Sequence, residues 1–312
     1  MPTKAEKERE ERIKARKLEA SKKSEEKAAK AEKLNKRLVK NKEVTMNARV
    51  NMVKGGIIID VINVVQARLA QAAGFTAVCP LNCTPADLEE RKMSRMVDPR
   101  VTRAIANAVL IPTVVKITIG HDVEADVAVE VGANLIDESE FAISDPATFY
   151  IEEKLDLSVP VICGVSNLAD CVRRMREGAS ILRTKHDSPD VRADATLVML
   201  NSILTDLELL RAADDDMEEW LEENNMTEDE VEHLKDVNSL SYFPIYASGG
   251  ISTPRDVALM MKIGCSGVFV DNSVFASDNP RNRLRAIAKA VTSYKNMEDM
   301  VALSIGTAER FV

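Results

Sequence analysis

Eight short runs rich in β-branched residues, each leading through a turn into an amphipathic stretch, predict a closed (β/α)8 barrel, the TIM barrel class. The runs are nearly continuous in apolar residues, as parallel strands covered on their outer side are. A break in charge sets off an arm ahead of them. Residues 1–44 hold 16 Lys+Arg against 9 Asp+Glu, while the 312-residue chain as a whole carries a net charge of −8. The expected organisation is a charged arm over 1–44 and a barrel over 45–312.

The arm comes first. It is rich in Lys, Glu and Ala, and it places Glu8/Arg12, Glu10/Lys14, Glu19/Lys23, Glu26/Lys30 and Glu32/Lys36 one helical turn apart. Each such pair adds roughly 0.2–0.5 kcal/mol to an exposed helix. Without an apolar stripe to dock it, the arm reads as solvated, partly helical or disordered. An electrostatic tether to RNA or an anionic surface is the sharper reading. With no aromatic residues for stacking, that tether would be nonspecific, so nucleic acid is not expected as a partner.

The strand runs follow in order: Gly56–Val61, Thr76–Leu81, Thr113–Ile117, Leu135–Ser139, Val159–Gly164, Ser180–Lys185, Phe243–Gly250 and Gly267–Asn272. Four are entered through a glycine, at Gly74, Gly132, Gly178 and Gly264, where a left-handed residue would close the preceding helix. Pro112 and Pro160 stand at strand starts, where a missing donor is tolerated. The sixth unit is long because it holds an acidic insertion over about 205–238. Between Asp206 and Asp236, 14 Asp+Glu face only Arg211 and Lys235, and Leu207, Leu210, Met217, Leu221, Val231 and Leu234 keep helical spacing. It reads as surface helices. A doubly wound open sheet is the alternative fold, but no G-x-G-x-x-G follows the first run.

Composition narrows the setting. At 45% hydrophobic but 4% aromatic residues, the core must be aliphatic. No apolar stretch reaches the roughly 18 residues of a membrane span, and no apolar leader is present, so a cytoplasmic protein without membrane contact is expected. Five cysteines are too few, and odd in number, for a disulfide scaffold. Cys79 and Cys83 lack the second pair of a structural zinc site, and no metal constellation is seen. His121 reads as a helix-start residue, and Met260-Met261 as core packing.

In such barrels chemistry gathers at the C-terminal strand ends. There the sequence places Asp60, Lys116, Asp137 with Glu138, Arg183 with Lys185, Ser248-Gly249-Gly250, and Asp271-Asn272. A charge inside an apolar strand costs several kcal/mol unless paired, so each of these calls for a reason. A desolvated lysine with a lowered pKa attacks carbonyls to form an imine, and a neighbouring Asp moves the protons. The other reading makes Lys116 and Lys185 rim salt bridges with Asp60 and Asp137; spacing alone leaves both open. The Gly249-Gly250 pair offers backbone N–H groups to a phosphate, where barrels often bind one.

The segments KGGIIIDV, QARLAQAAG, PADL, SRMVDP, IPTVVKITIGHDVEA, LIDESE, VICGVSNL, RRMREGASILRTK, ASGGISTPRDVALMMKIGCSGVFV and RAIAKAV resemble the PdxS/SNZ family. This is the synthase (lyase) subunit of glutamine-dependent pyridoxal 5′-phosphate synthase, and the likeness runs from about Lys54 to Tyr294. The resemblance implies vitamin B6 biosynthesis, in which ribose 5-phosphate (or ribulose 5-phosphate), glyceraldehyde 3-phosphate and ammonia condense through lysine imines. It implies Lys116 as the lysine that takes the pentose, Lys185 as the second lysine, Asp60 as acid/base and Asp137 as an active-site acid. Gly249, Gly250, Asp271, Asn272 and Arg183 are the expected substrate and phosphate contacts. The partners implied are a glutaminase subunit supplying ammonia and further chains of the same kind in hexamers or dodecamers. No cofactor is implied, pyridoxal 5′-phosphate being the product.

The chain departs from the family pattern at the phosphate. Where the family has a glycine-rich loop, His186–Arg192 contains no glycine. Asp271-Asn272 replaces a Gly-Ser, Arg91-Lys92-Met93 replaces a glycine pair, and Asn201 stands where an arginine is expected. Two alternatives to the synthase follow. One is a catalytically silent relative acting as scaffold or regulator of the assembly. The other is a lysine-imine barrel enzyme acting on a less phosphorylated carbonyl compound.

Overall fold

The computed structural model describes residues 45–81, 96–139, 150–151, 154–186, 191–212 and 240–307. The arm over 1–44 and most of the acidic insertion lie outside these, so the expectations for them do too. The chain divides into two compact units, Met1–Ala48 and Arg49–Val312, and the second holds the barrel.

The eight expected strands form: β1 Ile57–Val61, β2 Ala77–Pro80, β3 Val114–Thr118, β4 Leu135–Ser139, β5 Val161–Val165, β6 Ile181–Thr184, β7 Ile245–Ala247 and β8 Gly267–Val270. All pair in parallel, in the order β2-β1-β8-β7-β6-β5-β4-β3. The seam between β2 and β3 is drawn together by a bridge from Val78 to Thr113, with the Val78 N–H donating to the Pro112 carbonyl at 3.0 Å. The ring is a nearly closed (β/α)8 barrel.

Helices α1 Val64–Ala73, α2 Pro99–Ala106, α3 Asp122–Glu130, α4 Leu168–Arg176, α5 Ala193–Ala212, α6 Pro254–Ile263, α7 Pro280–Ser293 and α8 Met297–Ser304 lie between and after the strands. Local sequence explains where they start and stop. The four glycines expected to close helices all adopt the left-handed conformation, with φ between 92° and 110°. Asn63 and Asn167 cap α1 and α4, and Thr253 with Asp256 forms a reciprocal capping box on α6. His121 caps α3 by accepting from the Glu124 N–H at 3.2 Å, as a helix-start residue should.

Period-two alternation sorts the strand residues into two cores. Ile57, Ile59 and Val61 face outward into the layer of helices, where Met260 is also buried. The inward residues make an apolar ring with one member from every strand: Ile58, Ala77, Val114, Leu135, Ile162, Ile181, Tyr246 and Phe269. Tyr246 and Phe269 meet edge to face at 5.9 Å, and the Tyr246 hydroxyl donates to the Val53 carbonyl. Gly267 makes room for that ring, because a Cβ there would stand 2.3 Å from Tyr246 Cε1. This ring is the floor of the site.

Candidate active site

On seven of the eight strands, a two-residue step leads from the apolar floor to a layer that carries the charges. Ile58 leads to Asp60, Ala77 to Cys79, Val114 to Lys116, Leu135 to Asp137, Ile162 to Gly164, Ile181 to Arg183 and Phe269 to Asp271. Alternation fixes their inward direction, since the side-chain period in a strand is two.

Two ion pairs organise this layer, and each skips a strand. Lys116 Nζ on β3 reaches Asp60 on β1, at 3.1 Å from Oδ2 and 3.2 Å from Oδ1. Between them lies β2, whose layer residue is the small Cys79, in register with Asp60. Arg183 Nε on β6 reaches Asp137 on β4, at 2.9 and 3.1 Å. The intervening strand β5 contributes Gly164, in register with Arg183. A bulky residue at 79 or 164 would stand in the path of either pair.

The Lys116–Asp60 salt bridge of the second reading is present, while Asp137 pairs with Arg183 instead of Lys185. Arg183, expected at the phosphate, is committed to Asp137. Lys185 continues the β6 ladder through its N–H to the Val165 carbonyl at 2.9 Å. It therefore shares the inward direction of Arg183, about 7 Å further toward the mouth. Its half-buried side chain makes no ion pair or hydrogen bond among the described residues.

Electrostatics correct one expectation. Burial is the largest influence on Lys116 and lowers its pKa, but Asp60, with Asp137 further off, outweighs it and holds the ammonium above the ordinary lysine range. The lowered lysine pKa expected from desolvation is thus absent in the resting site. Burial also pushes the Asp60 carboxyl up, against the opposing pull of Lys116, and Asp271 adds to the rise. The Cys79 thiol is raised well above its usual value by burial, so it is neutral beside the pair.

Several of the expected phosphate contacts have partners within the chain. Gly249 and Gly250 form a left-handed turn after β7, with φ of 111° and 69°. The hydroxyl of Thr184 donates to the Ser248 carbonyl at 2.6 Å, and that of Thr196 donates to the Gly249 carbonyl at 2.8 Å. His186 Nε2 lies 2.9 Å from Thr196 Oγ1. A Cβ on Gly249 would stand 2.6 Å from the His186 ring, and one on Gly250 would stand 2.4 Å from backbone atoms of Val191, Arg192 and Ala193. Both positions therefore require glycine, and the turn itself is half-buried. Asn272 Nδ2 donates to Gln66 Oε1 at 2.6 Å and to the Asp60 carbonyl at 3.2 Å. Asp271 caps the short 3-10 helix Asn272–Ala276 by accepting from the Ser273 N–H at 2.7 Å.

Sequence reading paired Glu138 with Asp137 but missed its role. Glu138 points the other way, into a fully buried network. Its Oε1 accepts from the Gly120 and Ile151 N–H groups at 2.9 and 2.8 Å, and its Oε2 meets Lys154 Nζ at 2.9 Å. Lys154 also pairs with Glu177 at 2.8 Å, and Glu177 with Arg174 at 2.8 Å. This ties the loop after β3, which follows Lys116, to the segment ahead of β5. Lys154 lies outside any strand, so alternation gave no signal for it. Among the described residues no cluster of His, Cys, Asp or Glu is arranged to hold a metal ion, and Cys79, Cys163, Cys171 and Cys265 are free thiols. No helix among the described residues is long and apolar enough to cross a membrane.

An inward lysine–aspartate pair on the floor of an eight-stranded parallel barrel defines the class: a barrel whose mouth carries amines and carboxylates. A profile of the SOR/SNZ family matches residues 42–248, and the chain belongs to that family. It is 38% identical over 265 residues to pyridoxal 5′-phosphate synthase subunit PDX1 of Phaseolus vulgaris, covering 84% of each chain. It is 38% identical to subunit PDX1.3 of Arabidopsis thaliana, again over 84% of each. Subunit PdxS of Deinococcus radiodurans is 37% identical over 81% of this chain and 82% of its own.

Proposed function

We propose that this chain is a lysine-imine synthase subunit of vitamin B6 biosynthesis, in which Lys116 condenses with the carbonyl of a pentose. The observation that carries the reading is the Lys116–Asp60 contact at 3.1 Å, inward and above a closed apolar floor. The pair can move a proton without moving a residue. Transfer from the Lys116 ammonium to the Asp60 carboxylate leaves a neutral amine and a carboxylic acid, the state that loss of water favours because desolvation penalises charge. A sugar filling the mouth displaces water and pushes the pair that way. The amine then attacks the carbonyl carbon, a C–N bond forms as the C=O π bond opens, and one amine proton passes to the oxygen to give the carbinolamine. Asp60 returns its proton to the carbinolamine oxygen, which leaves as water to give the imine.

Arg183 pairs with Asp137 at 2.9 Å beside the reacting centre, and Lys185 stands one layer higher to take over the bound intermediate. The full reaction is the one implied by the family resemblance: ribose 5-phosphate, glyceraldehyde 3-phosphate and ammonia give pyridoxal 5′-phosphate as product. The relatives are named as subunits, which supports an assembly with a partner, and the family resemblance implies that this partner is a glutaminase supplying ammonia. The second reading, a silent scaffold within such an assembly, is favoured by the engagement of Asn272, an expected phosphate contact, with Gln66 and the Asp60 carbonyl.

The test is borohydride trapping. The chain and its Lys116→Ala variant are incubated with pentose substrates, reduced, and measured as intact masses. A reduced adduct that disappears with Lys116 is expected. Absence of any Lys116-dependent adduct, together with recovery in mixed rings alongside an active relative, would establish the scaffold instead.

A further inference from the structure

We infer that Asn272 is a positioning residue for the Lys116–Asp60 pair: its side-chain amide takes over the β1–β8 ladder where the strands part, and so fixes the peptide that carries Asp60. This rests on the lysine-imine reading above. It gives Asn272 a role that acts through Asp60, in place of the expected contact to phosphate.

Strands β1 and β8 pair in parallel through Ile57, Ile58 and Ile59, with Val268, Phe269 and Val270 as their partners. Just before the first of these pairs, the Val268 N–H donates to the Gly56 carbonyl at 3.2 Å. Such contacts recur evenly along a parallel ladder, at every second residue, so Ile58 and Asp60 present the next carbonyls to β8. By Asp60, β8 has ended at Val270 and turned into the 3-10 helix Asn272–Ala276. The donor that reaches the Asp60 carbonyl there is the side-chain amide of Asn272, at 3.2 Å. The same nitrogen donates to Gln66 Oε1 at 2.6 Å, and that oxygen also accepts from the Ile62 N–H at 2.9 Å. One buried side chain thus joins the end of β1, the end of β8 and the first turn of α1. An amide nitrogen carries two hydrogens, and both are used here, so none is left for a phosphate oxygen. On its other edge Asp60 keeps register with Cys79 of β2, and the Asn272 amide supplies the hold on the β8 edge. The carboxylate on this clamped peptide is the one that lies 3.1 and 3.2 Å from Lys116 Nζ. A buried carbonyl stripped of its donor moves to find another, and a displacement of about 1 Å at reacting groups can cost up to about a hundredfold in rate.

The test compares the full chain with Asn272→Ala and Gln66→Ala, each also made in an Asp60→Asn background. Borohydride trapping of the Lys116 adduct is followed over a range of ribose 5-phosphate concentrations. In the same proteins without sugar, labelling of Lys116 by an amine reagent is measured against the exposed Lys262. Asn272→Ala is expected to lower the saturating trapping rate about tenfold, with the half-saturating concentration kept within about twofold. Lys116 should label at least about threefold faster in that variant, because burial then acts on its ammonium with less opposition from Asp60. In the Asp60→Asn background the same substitution should change either readout by less than about twofold, since the group it positions is already lost. Gln66→Ala removes only the anchor of the amide and should move both readouts the same way by less, which keeps the inference testable should Asn272→Ala fail to fold. A raised half-saturating concentration with an unchanged saturating rate overturns the inference and makes Asn272 a phosphate contact. Equal losses with and without Asp60→Asn overturn it in favour of a role in stability alone. Should the parent chain give no Lys116-dependent adduct, the lysine-imine reading fails, and labelling still decides the positioning role: faster labelling of Lys116 in Asn272→Ala supports it and unchanged labelling overturns it.

Discussion

Replacing Asp60 by Asn removes the charge that holds the proton on Lys116 while changing the shape of the site little. At the observed 3.1 Å, two unit charges attract by about 5 kcal/mol at an effective dielectric near 20. Relaxation and residual water reduce this, but a quarter of it is still about 1.4 kcal/mol, a tenfold change in an equilibrium. With Asp60 neutral, burial acts on Lys116 with less opposition and the neutral amine becomes more populated at pH 7. The assay is competitive labelling by an amine reagent that needs no proton transfer from the protein, with Lys116 followed by peptide mass against the exposed Lys262. Lys116 in Asp60→Asn should label at least about tenfold faster than in the parent chain. The imine with the sugar should form more slowly in the same variant, because Asn cannot carry the proton to the carbinolamine. A purely structural ion pair would not move the two readouts in opposite directions. Unchanged labelling of Lys116 in a folded Asp60→Asn chain would refute the reasoning, since Asp60 would then not be the group that retains the proton.

Other perturbations follow from the packing. Lys154→Ala leaves Glu138 buried without its cation, while Glu177 keeps Arg174, and should cost about 3–5 kcal/mol in urea unfolding, whereas Lys154→Met paired with Glu138→Gln should cost less. Burial lowers the Lys154 pKa, but its neighbours outweigh this and raise it overall. Its contribution to stability is therefore full below the ordinary lysine value of about 10.4 and is lost as pH climbs past it, visible as a falling denaturation midpoint above that pH. Gly267→Ala drives a methyl into the Tyr246 ring and should destabilise by about 1–3 kcal/mol, measured by thermal unfolding. Asp98 is held down to about 2 by its hydrogen bonds to Arg100. Its contribution is thus present above the ordinary carboxylate value and lost as pH falls through about 2, which a carbon-13 titration of the Asp98 carboxyl would follow.

Sequence made the barrel legible because its signals are local. The strands show as apolar runs, and the glycines at 74, 132, 178 and 264 take the left-handed angles expected of them. The inward charged residues were legible for the same reason: Asp60, Lys116 and Asp137 each interrupt an apolar run at its C-terminal end. Which charge pairs with which was not. Lys116 and Asp60 are separated by 56 positions and Arg183 and Asp137 by 46, and neither pair joins neighbouring strands. Their meeting depends on curvature of the sheet and on what stands between them. That is Cys79 in one case and Gly164 in the other, two residues that read as ordinary strand fillers. A small residue on the strand between is as necessary to each pair as the charges are. One of the two open readings paired Lys185 with Asp137, and Arg183 takes that place because Arg183 lies one layer deeper, where Asp137 lies. The proton state of Lys116 stayed open through the same gap. Desolvation could be inferred from an apolar strand, but the carboxylate at 3.1 Å that reverses its effect comes from the closure of the barrel. Cys79 therefore becomes a test of the arrangement. A Cys79→Leu chain that folds but separates Lys116 from Asp60 should reproduce the faster amine labelling of Asp60→Asn, with both charged residues still in place.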